Sequence, residues 1–244
     1  MRRLRVLLLA GVLGTIDCGR DNATSYTCEN ISPGITKAAE TGLRKDGLAG
    51  RTAGATALVH EASRELIALK GTHYTHVAAV DESTGEFDYD CSGFLAYALQ
   101  RSLPLAYAEI TAANAAPKTR DFVQEFMNLP ATGAQFARVQ RGMDLRPGDI
   151  VAWLLPPGSE DTGHIMIVAG TPTVSADRAD ELLVPVIDAT SRAHGVADTR
   201  SGTGGLGVGT VGLLVDADGL LVGHRWAGGC GDLKSETTVA VRPR

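Results

Sequence analysis

Apolar residues in the stretch ATALVHEASRELIALKG fall at Leu58, Val59, Ala62, Leu66 and Ile67, one face of a helix that Gly71 stops. GFLAYALQ repeats that spacing with Phe94, Leu95, Ala98 and Leu99. TRDFVQEFMNLP predicts a third helix, opened at Thr119 and ended by Pro130. Beyond it the pattern becomes extended. LRPGDIVAW reads as a Pro-Gly turn feeding a strand, and HIMIVAG and LLVPVIDAT are two further β-branched runs. VGLLVDADGLLVGHRW predicts a hairpin around the turn DADG, and TTVAVRP a final strand. Helices first and strands later predict an α+β domain with a mostly antiparallel sheet, not alternating βαβ units. GTGGLGVGT has the glycines of a phosphate loop but no following Lys-Ser/Thr, so it reads as a flexible loop.

The N-terminus changes the picture. MRRLR followed by VLLLAGVLGTI is a basic segment and a short apolar run, the pattern of a secretory signal over residues 1–17. The run is short of the about 20 residues that a membrane span needs, and no later segment approaches that length. A buried N-terminal helix is the other reading. Residues 18–51 are mixed in composition and read as an N-terminal extension or linker. Residues 52–244 then form the folded domain, long enough for one sizeable core, with the late hairpin as an elaboration. A net charge of −5 with scattered Lys and Arg leaves no footprint for nucleic acid and little for electrostatic membrane docking.

Four cysteines are present: Cys18, Cys28, Cys91 and Cys230. If Cys91 stays free, an odd number remains to pair. Cys18 as a lipid anchor would leave Cys28 to bridge Cys230, although Asp17 in TIDC fits a lipoprotein cleavage site poorly. Otherwise Cys18 and Cys28 pair and Cys230 is left single. The spacing does not choose between them.

Chemistry concentrates on DYDCSGFLAYALQ. Asp90 is placed to cap the helix that begins at Cys91. The thiol then sits at the positive end of a helix dipole, where a thiolate is stabilised, with the Asp88 and Asp90 charges opposing. Free N–H groups at that start, at Cys91 and Ser92, are candidate oxyanion donors. A buried structural cysteine at the first position of an amphipathic helix explains the local pattern equally well. A nucleophilic thiol also needs a base. His60 lies within a helix and reads as structural, while His73 and His76 precede the cysteine with no clear orienting partner. His164 opens a strand after a glycine. If HIMIVAG and LLVPVIDAT pair about Ala176, Val168 faces Val184, Met166 faces Val186, and His164 faces Asp188, whose carboxylate would hold the imidazole. Pro185 marks that second strand as an edge or irregular one. His194 is the alternative third residue. No Cys-x-x-Cys pair, His-Glu-x-x-His helix or Asp-rich calcium loop appears, so neither a metal nor a cofactor is expected.

In their order, DYDCSGFLAYAL, LRPGDIVAW and GHIMIVAG resemble three motifs of the NlpC/P60 cysteine peptidases of bacterial cell walls. The resemblance covers roughly residues 55–190. It implies a papain-like fold, with the nucleophile helix packed on an antiparallel sheet that carries the histidine. It implies Cys91 as nucleophile, His164 as base and Asp188 as the residue orienting it. Tyr74 matches a tyrosine common before the nucleophile and, with Ser92, is a candidate for substrate binding. The implied activity is hydrolysis of amide bonds in peptidoglycan stem peptides by an exported, bacterial, monomeric enzyme that is secreted or held in the cell envelope. An amidase, an acyl transferase and a non-catalytic wall-binding protein remain open alternatives. The Trp-Gly stretch usual after the tyrosine is replaced here by THVAAVDESTGEFDY, and the segment between His164 and Asp188 is long.

Overall fold

The computed structural model describes residues 50–130, 134–159, 161–200 and 204–244. The expected signal, nearly all of the extension, and Cys18 and Cys28 lie outside the described residues. Four helices are present among the described residues: α1 (Ala53–Ala68), α2 (Cys91–Ser102), α3 (Pro104–Thr111) and α4 (Thr119–Met127). Thr52 caps α1 by accepting the Ala55 N–H at 3.1 Å, and Asp90 caps α2 by accepting the Gly93 N–H at 2.7 Å. In α1 the expected face is buried at Leu58, Val59 and Ala62 and Leu66 packs partly buried against the core, but Ile67 turns outward and is 78 % exposed. His60, expected as structural, is exposed on the opposite side. The sequence pattern had not marked α3, which starts on Pro104 at a first-turn position where a missing N–H costs nothing.

The strands are β1 (Ala79–Asp81), β2 (Glu86–Asp88), β3 (Phe136–Arg138), β4 (Ile150–Leu154), β5 (Gly163–Val168), β6 (Thr173–Val174), β7 (Glu181–Thr190), β8 (Gly205–Val215), β9 (Leu221–Ala227), β10 (Cys230–Lys234) and β11 (Thr238–Pro243). β1 and β2 form a small hairpin just before the α2 cysteine. The other nine build one antiparallel sheet in the order β10-β9-β8-β7-β5-β4-β11-β3, with β6 on β7. The domain is therefore α+β with a large antiparallel sheet. DADG makes the β8–β9 turn, closed by the Asp216 N–H to the Leu220 carbonyl at 3.0 Å.

Alternation along the central strands separates two cores. Ile150, Ala152, Ile165, Ile167, Ile187 and Ala189 face the helices and pack with Phe94, Leu95 and Phe122. Val151, Trp153, Met166, Val168, Val184 and Val186 face the other way and pack with Val211 and Leu213. This second core is covered by the sheet itself. The sheet curls until Arg141, just past β3, bridges Leu220, just before β9. Burial on both faces explains why β4, β5 and β7 are continuous apolar runs rather than alternating ones.

Two expectations are corrected here. Pro185 stands in the interior of the sheet, between β8 and the end of β5. Its carbonyl accepts the Ala169 N–H at 2.8 Å, and its missing N–H falls at the irregularity where β7 passes from pairing with β5 to pairing with β6. GLGVGT, expected as a flexible loop, is the first half of β8.

A buried carboxyl anchors α1 to the segment that leads into α2. Glu65 has no exposed surface and accepts the Tyr89 hydroxyl. Burial pushes its carboxyl from the ordinary 4.5 up to about 8, with the Tyr89 bond opposing. A folded value above the unfolded one means the folded state binds the extra proton. Stability from this group is therefore greatest below about pH 4.5 and declines as pH rises through about 8. Urea midpoints of the wild type should fall more steeply across that range than those of Glu65→Gln, which keeps an acceptor for Tyr89 and does not titrate. Equal slopes would contradict this account of Glu65.

Candidate active site

Cys91 is the first residue of α2, and the Asp90 cap sets the chain direction there. Asp90 spends Oδ1 on the Gly93 N–H and on the Ser92 hydroxyl at 2.9 Å, while Oδ2 bonds His76 Nδ1 at 3.0 Å. The cap is thereby turned onto the helix start and His76. Helix geometry leaves the N–H groups of Cys91 and Ser92 without intrahelical acceptors. The thiol is 5 % exposed and borders a cleft of about 650 Å³, which Tyr74, Ser92, Tyr97, Thr119 and Asp161 also line.

The sulfur has two bonding partners. Thr119 Oγ1 lies 3.5 Å away, and the backbone N–H of Ile165 donates to it. The second contact seats the sulfur against β5, one residue from His164. His164 bonds through Nε2 to Asp188 Oδ2 at 2.5 Å, leaving Nδ1 as the ring nitrogen that can face a thiol. Among the described residues no hydrogen bond joins Cys91 to His164. By strand alternation His164 shares the face of Met166 and Val168, whereas Cys91 belongs to the helix-side core. Gly163, at the start of β5 beside His164, lines the cleft that Cys91 borders.

The expected register of β5 and β7 needs correction. Val168 pairs with Val186 and Ile167 with Ile187, two residues away from the pairing about Ala176. The cause is the excursion between these strands, which carries β6 and lengthens the connection. A slip of two preserves side-chain parity. His164 and Asp188 therefore still share a face, as diagonal rather than directly opposed neighbours.

Asp188 is fully buried and gathers more partners than the sequence suggested. His194 Nε2 bonds the same Oδ2 at 2.8 Å, and Arg200 Nη2 bonds Oδ1 and the Asp188 carbonyl. Arg200 also reaches the Gly205 carbonyl at 2.8 Å, the Gly207 carbonyl at 3.0 Å, and Asp198 Oδ2 at 2.5 Å. Trp226 packs over both imidazoles, with ring centroids 5.0 Å from His164 and 4.3 Å from His194. Arg200 and Asp198 went unmarked in the sequence, and so did the bond from His194 to Asp188. A signal for them existed in the two-residue period of Gly205, Gly207 and Gly209. A Cβ at Gly207 would stand 2.6 Å from Arg200 Cγ, and one at Gly209 would stand 2.5 Å from Asp198 Oδ2 and 2.8 Å from His194 Cβ. Those glycines clear the space that the loop bearing His194 and Arg200 fills.

The electrostatics run against an exposed, preformed thiolate. Burial pushes the Cys91 thiol up to about 12; the Thr119 bond opposes this and the Asp90 charge adds to it. This corrects the helix-start expectation, because loss of water outweighs the dipole. Burial also lowers His164, against the pull of Asp188, so the imidazole rests neutral. Burial would raise Asp188, but the Arg200 charge and the bonds from the His164 and His194 imidazoles hold it well below the ordinary carboxylate range. Burial and the nearby Cys91, Asp90 and Asp161 push the Tyr74 hydroxyl up, so it stays a donor. The resting pair is therefore thiol and neutral imidazole.

His164, Asp188 and His194 place donor atoms within 4.8 Å of one another. The set does not fit a cation, because both imidazole Nε2 atoms already bond Oδ2 and a guanidinium holds Oδ1. His73, the remaining histidine before Cys91, bonds Asp88 at 3.1 Å on the exposed surface. Cys230 is disulfide-bonded, which removes the pairing that left it single.

Comparison with known proteins adds one relative. No protein-family model matches the chain, and no solved structure matches it. The uncharacterized protein R653 of Acanthamoeba polyphaga mimivirus is 31 % identical over 156 residues, which span 57 % of this chain and 68 % of that protein.

Alkylation tests the charge state of the sulfur. With the thiol held near 12, iodoacetamide labelling of Cys91 should climb with pH and show no plateau below about pH 10. A plateau below about pH 8.5, the ordinary thiol value, would mean that a thiolate is already present at rest.

Proposed function

This chain belongs to one family with the mimivirus protein, and we propose that it is a cysteine hydrolase that cleaves amide bonds in peptides. The observation that carries the reading is the neutral imidazole of His164, held through Nε2 by a buried carboxylate, beside a strand start on which a cleft-lining thiol rests. In this reading the substrate carbonyl enters from the cleft. Cys91 Sγ attacks the carbonyl carbon as His164 Nδ1 takes the thiol proton, so the thiolate forms only as it reacts. The N–H groups of Cys91 and Ser92 receive the oxyanion. Collapse breaks the C–N bond, and the imidazolium returns its proton to the leaving amine. Water, deprotonated by the same imidazole, then hydrolyses the thioester. Asp188 stays ionised throughout and holds the ring. For the first transfer His164 must reach across the start of β5, a closure of the kind that substrate binding brings about in resting sites.

The substrate follows from the sequence resemblance. DYDCSG, LRPGD and the histidine-led strand, in NlpC/P60 order on a helix and an antiparallel sheet, support a papain-like arrangement and peptidoglycan stem peptides as the substrate. The disulfide at Cys230 supports export, since such bonds persist in oxidising compartments.

Incubating the protein with purified peptidoglycan should release fragments whose masses show cleavage within the stem peptide. Cys91→Ala and His164→Ala should each lose at least about a thousandfold in rate. Fragments that separate sugar from intact peptide would replace the endopeptidase with an amidase. Identical products from wild type and Cys91→Ala, or none from either, would overturn the reading on this substrate.

A further inference from the structure

We propose that His194 is a positioning residue, an imidazole protonated on both nitrogens that fixes Asp188 and keeps His164 neutral. The proposal rests on the hydrolase reading for its consequence in catalysis, but not for the charge it assigns.

Proton accounting carries the assignment. His194 is 4 % exposed, and each ring nitrogen faces an oxygen that only accepts. Nδ1 lies 2.8 Å from the Trp226 carbonyl, and a carbonyl oxygen has no proton to give, so Nδ1 carries one. Nε2 lies 2.8 Å from Asp188 Oδ2. That carboxylate also receives the Arg200 guanidinium on Oδ1 and His164 Nε2 on Oδ2, so it too is an acceptor. A neutral imidazole has one N–H, which leaves one of these contacts as a lone pair against an oxygen. Both contacts are satisfied only by the imidazolium.

The neighbouring charges make that cation affordable. Asp198 Oδ2 accepts the His194 backbone N–H at 2.8 Å and Arg200 Nη1 at 2.5 Å. Asp188 and Asp198 contribute two negative charges, and Arg200 and His194 two positive ones, so the buried cluster is neutral as a whole. With a neutral His194 it would carry one net negative charge next to His164, 5.8 Å away between ring centroids. That charge would draw a proton onto His164 and disable the base. The remaining titratable or charged groups nearby do not replace His194. His224 on β9, stacked on Trp153, is pushed down to about 4 by burial and is neutral. Cys91 is a thiol at rest. Arg192 sits over the Trp226 ring, 5.3 Å from its centroid, on the exposed side. His194 thus sets the pH at which His164 can act, without touching substrate.

The test uses imidazole nitrogen NMR on the whole chain, with the wild type and His194→Gln. In the wild type at neutral pH both His194 nitrogens should show the protonated signature, while His164 shows one protonated nitrogen, Nε2. In His194→Gln, which keeps an amide donor for Asp188 but removes the charge, the His164 titration midpoint should rise by about one to two pH units. The acid limb of the pH–rate profile should rise with it, with the rate at high pH largely retained. A structural role alone would lower the rate at every pH and leave the His164 midpoint where it was. An unprotonated His194 nitrogen in the wild type, or an unmoved or lowered His164 midpoint in the variant, overturns the proposal. The wild-type spectrum decides the charge even if the variant fails to fold. If the spectra agree but no amide is cleaved, the hydrolase reading fails and the His194 assignment stands.

Discussion

Burying the Asp188 carboxylate with no exposed surface would cost several kcal/mol if it kept its charge alone, so every element that reaches it brings a donor. β5 brings His164, the segment after β7 brings His194 and Arg200, and β8 gives carbonyls that hold Arg200 from behind. Gly207 and Gly209 of β8 leave the room in which this loop lies on the strand. Removing any one partner would leave a buried charge short of compensation, so these residues act as one unit rather than as separable bonds.

The same burial bears on the thiol. A thiol at a helix start gains from the dipole, and Thr119 and the Ile165 backbone favour the thiolate, but burial raises Cys91 against them. In the proposed hydrolase the reactivity is therefore stored in the base, a neutral His164 aimed by an ionised Asp188 that would accept a proton at the moment of attack. The division of the sheet into two cores has a mechanical consequence. The thiol belongs to the helix side and the imidazole to the interior of the curl, so in the proposed reaction the start of β5, after Gly163, is where they would meet. Gly163, at φ 152°, leaves no Cβ against the Trp153 carbonyl, 2.1 Å from where it would stand.

Much of this was legible in the residues. The helical stripe of α2 and the Asp90 cap follow directly from apolar spacing and side-chain chemistry. Parity put His164 and Asp188 on one face despite a register two residues out, because a strand repeats every second residue. What was hidden lies in long-range contact. Arg200 sits in a glycine-flanked loop where no periodicity marks it, and its role exists only once β8 folds beneath it. The β8 glycines looked like flexibility because composition was read there and their alternation was not. The thiol's raised value came from burial, which the bonds from Thr119 and β5, both distant in sequence, only oppose. The short helix α3 spreads its apolar residues, Leu105, Ala106, Tyr107, Ala108 and Ile110, around its circumference and so showed no face.

The central claim is that Cys91 becomes nucleophilic only through a His164 held by Asp188. It is tested most directly by stoichiometric labelling with a peptidyl electrophile that requires attack by sulfur, followed by intact mass and peptide mapping. The account predicts one adduct per chain, on Cys91, formed rapidly by the wild type and at least about a hundredfold more slowly by folded His164→Ala. Labelling of Cys91 at the same rate in both proteins, or no adduct on Cys91 in the wild type, would contradict it.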